Sequence, residues 1–180
     1  MIYLDHLTTT PPLTEVVDAM QPWLRGQFGA PASLHKLGLE ARDAIDAARE
    51  RLAKLVNAAE PEEIIFTSSG TEAINHAVKG AALANRRFGS HIVTTGIEHP
   101  AVLGSVAWLE SQGFSSTRVG VDGQGRVDPD AIGRAMNDET ILVCLHHANL
   151  DLGTVQPVAE VAELTGERGI PLFVDATASG

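Results

Sequence analysis

The chain has 180 residues, 44% of them hydrophobic and 20% charged, a balance that supports a full core and leaves little room for long disorder. Its 23 acidic residues outweigh 13 basic ones for a formal charge of -10, and no run of Lys or Arg exceeds Arg86-Arg87, which argues against nucleic acid or an anionic membrane as partner. No apolar run is long enough to span a bilayer and no basic leader precedes the first apolar residues, so a cytoplasmic protein is expected; the single cysteine, Cys144, allows no intrachain disulfide.

In chain order, residues 1–4 read as an opening strand and Thr8-Thr9-Thr10-Pro11-Pro12 as a turn. Residues 14–24 space Val16, Val17, Met20 and Leu24 at helical intervals with Thr14 as N-cap, and residues 26–33 form a loop. Over 37–56, Leu37, Ala41, Ile45, Ala48, Leu52 and Leu55 recur every three or four residues, which predicts a long amphipathic helix. From there strands alternate with helices. Strands are expected at 64–67, 91–94, 115–119, 140–145 and 170–174, and helices at 72–87, 100–112, 129–136 and 157–168. That alternation predicts an α/β fold of three layers, a mostly parallel sheet flanked by helices. Cys144 falls in the apolar run 140–145 and reads as an inert packing thiol.

The stretch Phe66-Thr67-Ser68-Ser69-Gly70-Thr71-Glu72 reads as a strand end, a turn of small hydroxyl residues and the start of a helix. The first N–H groups of a helix have no intrahelical partner and, with the helix dipole, attract an anion; Ser68, Ser69 and Thr71 add hydroxyls, and Gly70 permits close approach. The plainer reading is a helix cap by Ser69 or Thr71. Ligands of parallel sheets bind outside the carboxyl ends of the strands. Four loops in such places carry polar groups: Ser68 to Thr71, Glu98-His99, His146 to Asn149, and Asp175 with Thr177. A phosphate cup, an imidazole, an amide and a carboxylate on one rim suit pyridoxal phosphate, which needs an anion site, a flat group against its ring, a partner for its phenolic oxygen and an acid beside its ring nitrogen. No G-x-G-x-x-G follows a strand and no G-K-[ST] occurs, so dinucleotide and Walker-type sites lack their fingerprints. A metal held by His146, His147 and Asp151 is disfavoured, because adjacent residues at a strand end point to opposite faces, and no metal site is expected.

These residues resemble the amino-terminal part of the cysteine desulfurases (NifS- and IscS-like), within the class V aminotransferase family of fold-type I pyridoxal-phosphate enzymes. Tyr3-Leu4-Asp5 with Thr9-Thr10-Pro11 is similar to the family's Y-L-D-x-x-A-T-T-P, and Pro31-Ala32-Ser33 with His35 and Gly38 to its N-P-S-S-x-H-x-x-G. Phe66 to Glu72 is similar to F-T-S-G-A-T-E, Glu98-His99 to its E-H, and Val174-Asp175-Ala176-Thr177 to V-D-A-T-Q, all in the family's order. The resemblance implies that Gly70 and Thr71 hold the phosphate, that His99 stacks on the ring and moves protons as the catalytic residue, that Asn149 faces the phenolic oxygen, and that Asp175 pairs with the ring nitrogen. It also implies the first part of a fold-type I large domain over 14–180, after a segment 1–13, and a reaction taking sulfur from L-cysteine or a related amino acid. That reaction leaves alanine and a persulfide for iron–sulfur cluster or thio-cofactor synthesis.

The sequence departs from the family pattern at Thr8, Ala30, Leu150, Asp151 and Ala178, the last replacing the glutamine of V-D-A-T-Q. The family's Schiff-base lysine lies in an S-x-H-K segment downstream of V-D-A-T-Q, and Lys36, Lys54 and Lys79 do not match it; nor does Cys144 match the family's catalytic cysteine. Three readings follow: a truncated or split desulfurase-like protein completed by a chain that brings lysine and cysteine, in a homo- or hetero-oligomer; a module that binds pyridoxal phosphate non-covalently or docks a relative; and a remnant with a structural role.

Overall fold

The computed structural model describes residues 2–4, 6 and 9–179; Met1 of the expected opening strand, and Asp5 and Thr8 of the opening motif, lie outside the described residues. Residues 2–4 carry no strand and are exposed. The chain divides into two compact units, Met1–Phe66 and Thr67–Gly180.

The first unit is helical. Helix α1 (Thr14–Arg25) begins after Leu13, which makes no side-chain cap bond; Thr14 is already inside the helix and so does not cap it as expected. Helix α2 (Lys36–Leu55) starts from His35, whose Nδ1 accepts a bond from the Gly38 amide at 3.3 Å. A Cβ at Gly38 would stand 2.4 Å from the Ser33 carbonyl oxygen and 2.8 Å from that of Ala30, so only glycine lets the 30–33 turn pack on the helix. After a 3-10 turn (Pro61–Glu63) the chain runs extended, but the strand expected at 64–67 does not form. A strand exists only where a neighbour takes its backbone bonds. Here the Ile64 carbonyl accepts instead from Arg49 Nε at 3.3 Å, and the Arg49 guanidinium lies over the Phe66 ring at 5.4 Å.

The second unit runs α3 (Gly70–Asn85), β1 (His91–Thr95), α4 (Pro100–Ser111), β2 (Ser115–Val119), α5 (Pro129–Ala135), β3 (Thr140–His146), α6 (Val158–Glu167) and β4 (Leu172–Asp175). The strands form one parallel sheet in the order β2-β1-β3-β4, with Val93 beside Val143 and Leu145 beside Val174. Central strands β1 and β3 are buried throughout, as expected where helices cover both faces, whereas edge strand β2 is mostly exposed. Alternate residues feed two cores. Ile92, Leu142 and Cys144 pack with Ile74 and Val78 of α3 and Val102, Val106 and Leu109 of α4. Val93, Val143 and Leu145 pack on the other face with Ile132 of α5 and Val161 of α6. Each such large side chain contributes about 1.5–3 kcal/mol by leaving water. Burial, with the Glu98 charge, pushes the Cys144 thiol well above its ordinary pKa, in keeping with a packing role.

The winding reverses after β2: the chain crosses over β1 to place β3 on its other side, and the connecting helices change from the face of α4 to that of α5 and α6. One-handed crossovers require that change of face when direction reverses. It leaves a crevice beyond the carboxyl ends of β1 and β3, the usual ligand position in such sheets.

Candidate functional site

A cleft of about 430 Å³ opens at that switch point, lined among others by Gly70, Thr71, His99, Asn149 and Asp175. The structure thus brings all five sequence-predicted site residues together. Three of the expected loops follow β1, β3 and β4; the fourth, Ser68 to Thr71, opens α3 without a strand before it.

At the start of α3, Ser69 is the N-cap, its Oγ accepting from the Glu72 amide at 3.2 Å. Glu72 reaches back so that its Oε2 accepts from the Ser68 amide at 2.7 Å and the Ser68 hydroxyl at 2.5 Å. Those two bonds hold the Glu72 carboxyl below its ordinary pKa. The Ala73 amide is taken by the Ser69 carbonyl, so among the described residues the Gly70 and Thr71 amides are left without a partner. Capping and an anion site therefore coexist: Ser69 does the first and leaves donors for the second. Gly70 lies beside Thr177, whose Oγ1 would be 3.8 Å from an added Cβ.

His99 caps α4, its Nδ1 accepting from the Ala101 amide at 3.1 Å, with Pro100 opening the helix. An accepting Nδ1 puts the proton of the neutral ring on Nε2. Asn149 is tied at both ends of its amide. Its Oδ1 accepts from the Asp151 and Leu152 amides at 3.0 and 2.9 Å, an Asx-type turn, and its Nδ2 donates to the Ile97 carbonyl at 3.1 Å. One Nδ2 hydrogen is left over. Asp175 ends β4 half-buried; its Oδ1 accepts from the Thr177 hydroxyl at 2.7 Å and the Thr177 amide at 3.1 Å, and Oδ2 has no partner among the described residues.

Sequence reasoning missed one feature of the same cleft. Glu98 and His146 are both buried and both line it, with His146 Nδ1 2.9 Å from Glu98 Oε1, which also accepts from the Thr95 hydroxyl at 2.6 Å. The signal was the period of β3: His146 shares the face of Leu142 and Cys144 and so is carried inward. His147 points elsewhere, its Nδ1 2.7 Å from Ser179 Oγ. Among the described residues no group of three His, Cys, Asp or Glu side chains is placed to hold a metal ion, and no helix is long and apolar enough to cross a membrane.

The fold is an α/β parallel sheet flanked by helices, and the chain belongs to the class V aminotransferase family, whose match spans residues 2–180. It is 46% identical over 175 residues to the cysteine desulfurase IscS of Methanosarcina thermophila, covering 97% of this chain and 43% of that protein. It is also 46% identical to the putative cysteine desulfurase IscS 1 of Bacillus subtilis, covering 97% of this chain and 46% of that protein. Among solved structures, a NifS-like protein superposes with a TM-score of 0.92 at 35% identity, over 97% of this chain and 48% of that one. SspA in complex with cysteine gives 0.89 at 34% identity, over 96% of this chain and 49% of that one. The chain spans less than half the length of the curated relatives it matches. Enzymes of the family depend on pyridoxal phosphate.

Proposed function

We propose that this chain is the cofactor-contacting part of a pyridoxal-phosphate-dependent cysteine desulfurase, in which the lysine and the sulfur-accepting cysteine come from residues outside these 180. The observation that carries the reading is the donor set of one cleft. Two unpartnered amides and a threonine hydroxyl suit a phosphate dianion, and a carboxylate with one free oxygen suits a protonated ring nitrogen. Similarity to cysteine desulfurases along 97% of the chain supports the substrate class, L-cysteine or a related amino acid.

Bound pyridoxal phosphate supplies an electron sink for the α-carbon of an amino acid. Gly70 and Thr71 would hold its phosphate through their amides and the Thr71 hydroxyl. Asp175 would hold a proton on the ring nitrogen through Oδ2, with Thr177 fixing the carboxyl through Oδ1. Asn149 would offer its free Nδ2 hydrogen to the phenolic oxygen. His99, fixed as the Nε2–H tautomer by its cap bond, would serve as the ring-stacking and proton-exchanging catalytic histidine. In the same reading residues 14–180, after the segment 1–13, are part of a larger pyridoxal-phosphate-binding domain, the assembly is a homo- or hetero-oligomer, and it works in the cytoplasm on sulfur for cluster or thio-cofactor synthesis.

Lys79, the lysine of this unit, does not line the cleft; its Nζ sits over the Trp108 ring at 4.8 Å. A non-catalytic binding module is the second reading, favoured by Leu150 and Ala178 lining the cleft where the resembled family carries polar residues.

Titrating the full chain with pyridoxal phosphate and following its absorbance tests both. Reversible binding that weakens about tenfold or more in Asp175→Ala and in Thr71→Val is expected, the loss for one hydrogen bond to a charged group. No binding by a folded chain sinks both readings. A stoichiometric borohydride-reduced adduct on Lys79 or Lys36 overturns the need for an external lysine, and activity restored by a partner bearing S-x-H-K separates the enzyme from the module.

A further inference from the structure

The buried Glu98–His146 pair stands between the two loops that carry His99 and Asn149. Glu98 directly precedes His99 in the loop after β1; His146 ends β3, three residues before Asn149. Two bonds join these loops: His146 Nδ1 to Glu98 Oε1 at 2.9 Å, and Asn149 Nδ2 to the Ile97 carbonyl at 3.1 Å. The Thr95 hydroxyl donates to the same Glu98 oxygen at 2.6 Å and ties it to the end of β1. Glu98 Oε1 already accepts from the Thr95 hydroxyl, which assigns His146 Nδ1 as the donor of the bond between the two side chains.

Packing stability alone is a poor account of this pair. The Glu98 side chain is 0% and the His146 side chain 5% exposed, while Glu98 Oε2 and His146 Nε2 find no partner within the described residues. Removing such groups from water is costly, and apolar residues of similar size commonly serve stability better. What a buried pair does well is fix direction, since losing its partner strands the other charge.

We propose that Glu98 and His146 are positioning residues of the cleft, a clasp that locks the loop after β1 to the loop after β3 and so sets where His99 and Asn149 face the ligand. The consequence for affinity rests on the pyridoxal-phosphate reading above, whereas the clasp itself does not. The clasp acts through the backbone of its two loops.

The test uses nitrogen-15 NMR of the full chain together with pyridoxal phosphate titration. In the wild type, His146 is expected to carry a slowly exchanging proton on Nδ1; a ring protonated on Nε2 alone overturns the clasp outright. Glu98→Ala is expected to move the side-chain signals of His99 and Asn149 and to weaken pyridoxal phosphate binding by about tenfold or more, the usual scale for removing an orienting partner. Glu98→Gln keeps an oxygen for Nδ1–H and is expected to rescue both readouts to within about threefold in affinity, a difference of under about 1 kcal/mol on the scale of 1.4 per tenfold. A folded Glu98→Ala chain with unmoved signals overturns the proposal, as does Glu98→Gln failing as fully as Glu98→Ala, since charge and not the bond would then be the agent. Should Glu98→Ala not fold, the wild-type tautomer and the Glu98→Gln signals decide. Should the wild type bind no pyridoxal phosphate, the cofactor reading falls while the NMR arm still judges the clasp.

Discussion

The two units of this chain differ in what their apolar residues achieve. In the second unit, Ile92, Val93, Leu142, Val143 and Leu145 are all essentially fully buried between two layers of helices. In the first, α1 buries nothing, and Met20 is 51% and Leu24 70% exposed although Val16, Met20, Trp23 and Leu24 fall on one helical face. Helix α2 buries only Gly38, Ala41 and Ala53. A regular apolar stripe thus specifies a helix without supplying a core, because stabilisation follows area removed from water and not periodicity. The first unit consists of helices held by local bonds such as His35 to Gly38 and Arg49 to Ile64, and the second of a sheet sealed on both faces.

The largest expected effect tests that contrast directly. Leu142→Ala removes side-chain atoms from the most enclosed strand and should cost about 2–5 kcal/mol, read from urea unfolding. Met20→Ala should stay within about 0.5 kcal/mol. Hydrogen exchange should order the chain in the same way, with amides of β1 and β3 slowest and those of α1 fastest. If Met20→Ala proves as costly as Leu142→Ala, the stripe of α1 is covered in solution and the contrast collapses.

The same physics decides how much was legible beforehand. The four strands of the sheet were readable because runs such as Thr140 to Leu145, buried on both faces, must be apolar and β-branched, and the helices between them because they alternate with those strands at the spacing of βαβ units. Residues 64–67 have the same composition and form no strand, since pairing is a property of a neighbour that composition does not carry. The placement of Gly70, Thr71, His99, Asn149 and Asp175 around one cleft was legible from the rule that loops after parallel strands share a rim. How their atoms are used was less so: His99 and Asn149 each spend part of their bonding capacity on a cap and a turn, which depends on backbone geometry. The Glu98–His146 pair escaped notice because a histidine beside another histidine reads as a loop, until the strand period shows which of the two faces inward.

A smaller effect sharpens the contrast within the second unit, between its sealed core and its exposed cleft edge. Ser69→Ala deletes the cap of α3 and should cost about 1 kcal/mol, within the range of about 0.5–2 for such caps. The variant also frees the Glu72 amide, adding a donor beside those of Gly70 and Thr71. Stability and pyridoxal phosphate affinity should therefore separate: unfolding shifts to lower urea while binding changes little. A parallel loss of both would mean that Ser69 itself contacts the ligand.

The smallest effect belongs to Glu72, which is fully exposed yet anchored by the Ser68 amide and hydroxyl. Its carboxyl titrates below the ordinary 4.5 in the folded chain, so at acidic pH the unfolded state binds the proton first. The stabilisation is accordingly complete above the unfolded value and disappears as pH falls through the folded one. Glu72→Gln should be less stable than the wild type at about pH 7, with the gap closing as the pH falls through the lowered folded value. Salt should narrow the gap at neutral pH only modestly, because the bonds to Ser68, and not a distant charge, are its first cause. A gap that persists unchanged into acid would show that Glu72 acts through packing or helix propensity, and the turn before α3 would then owe its shape to Ser69 alone.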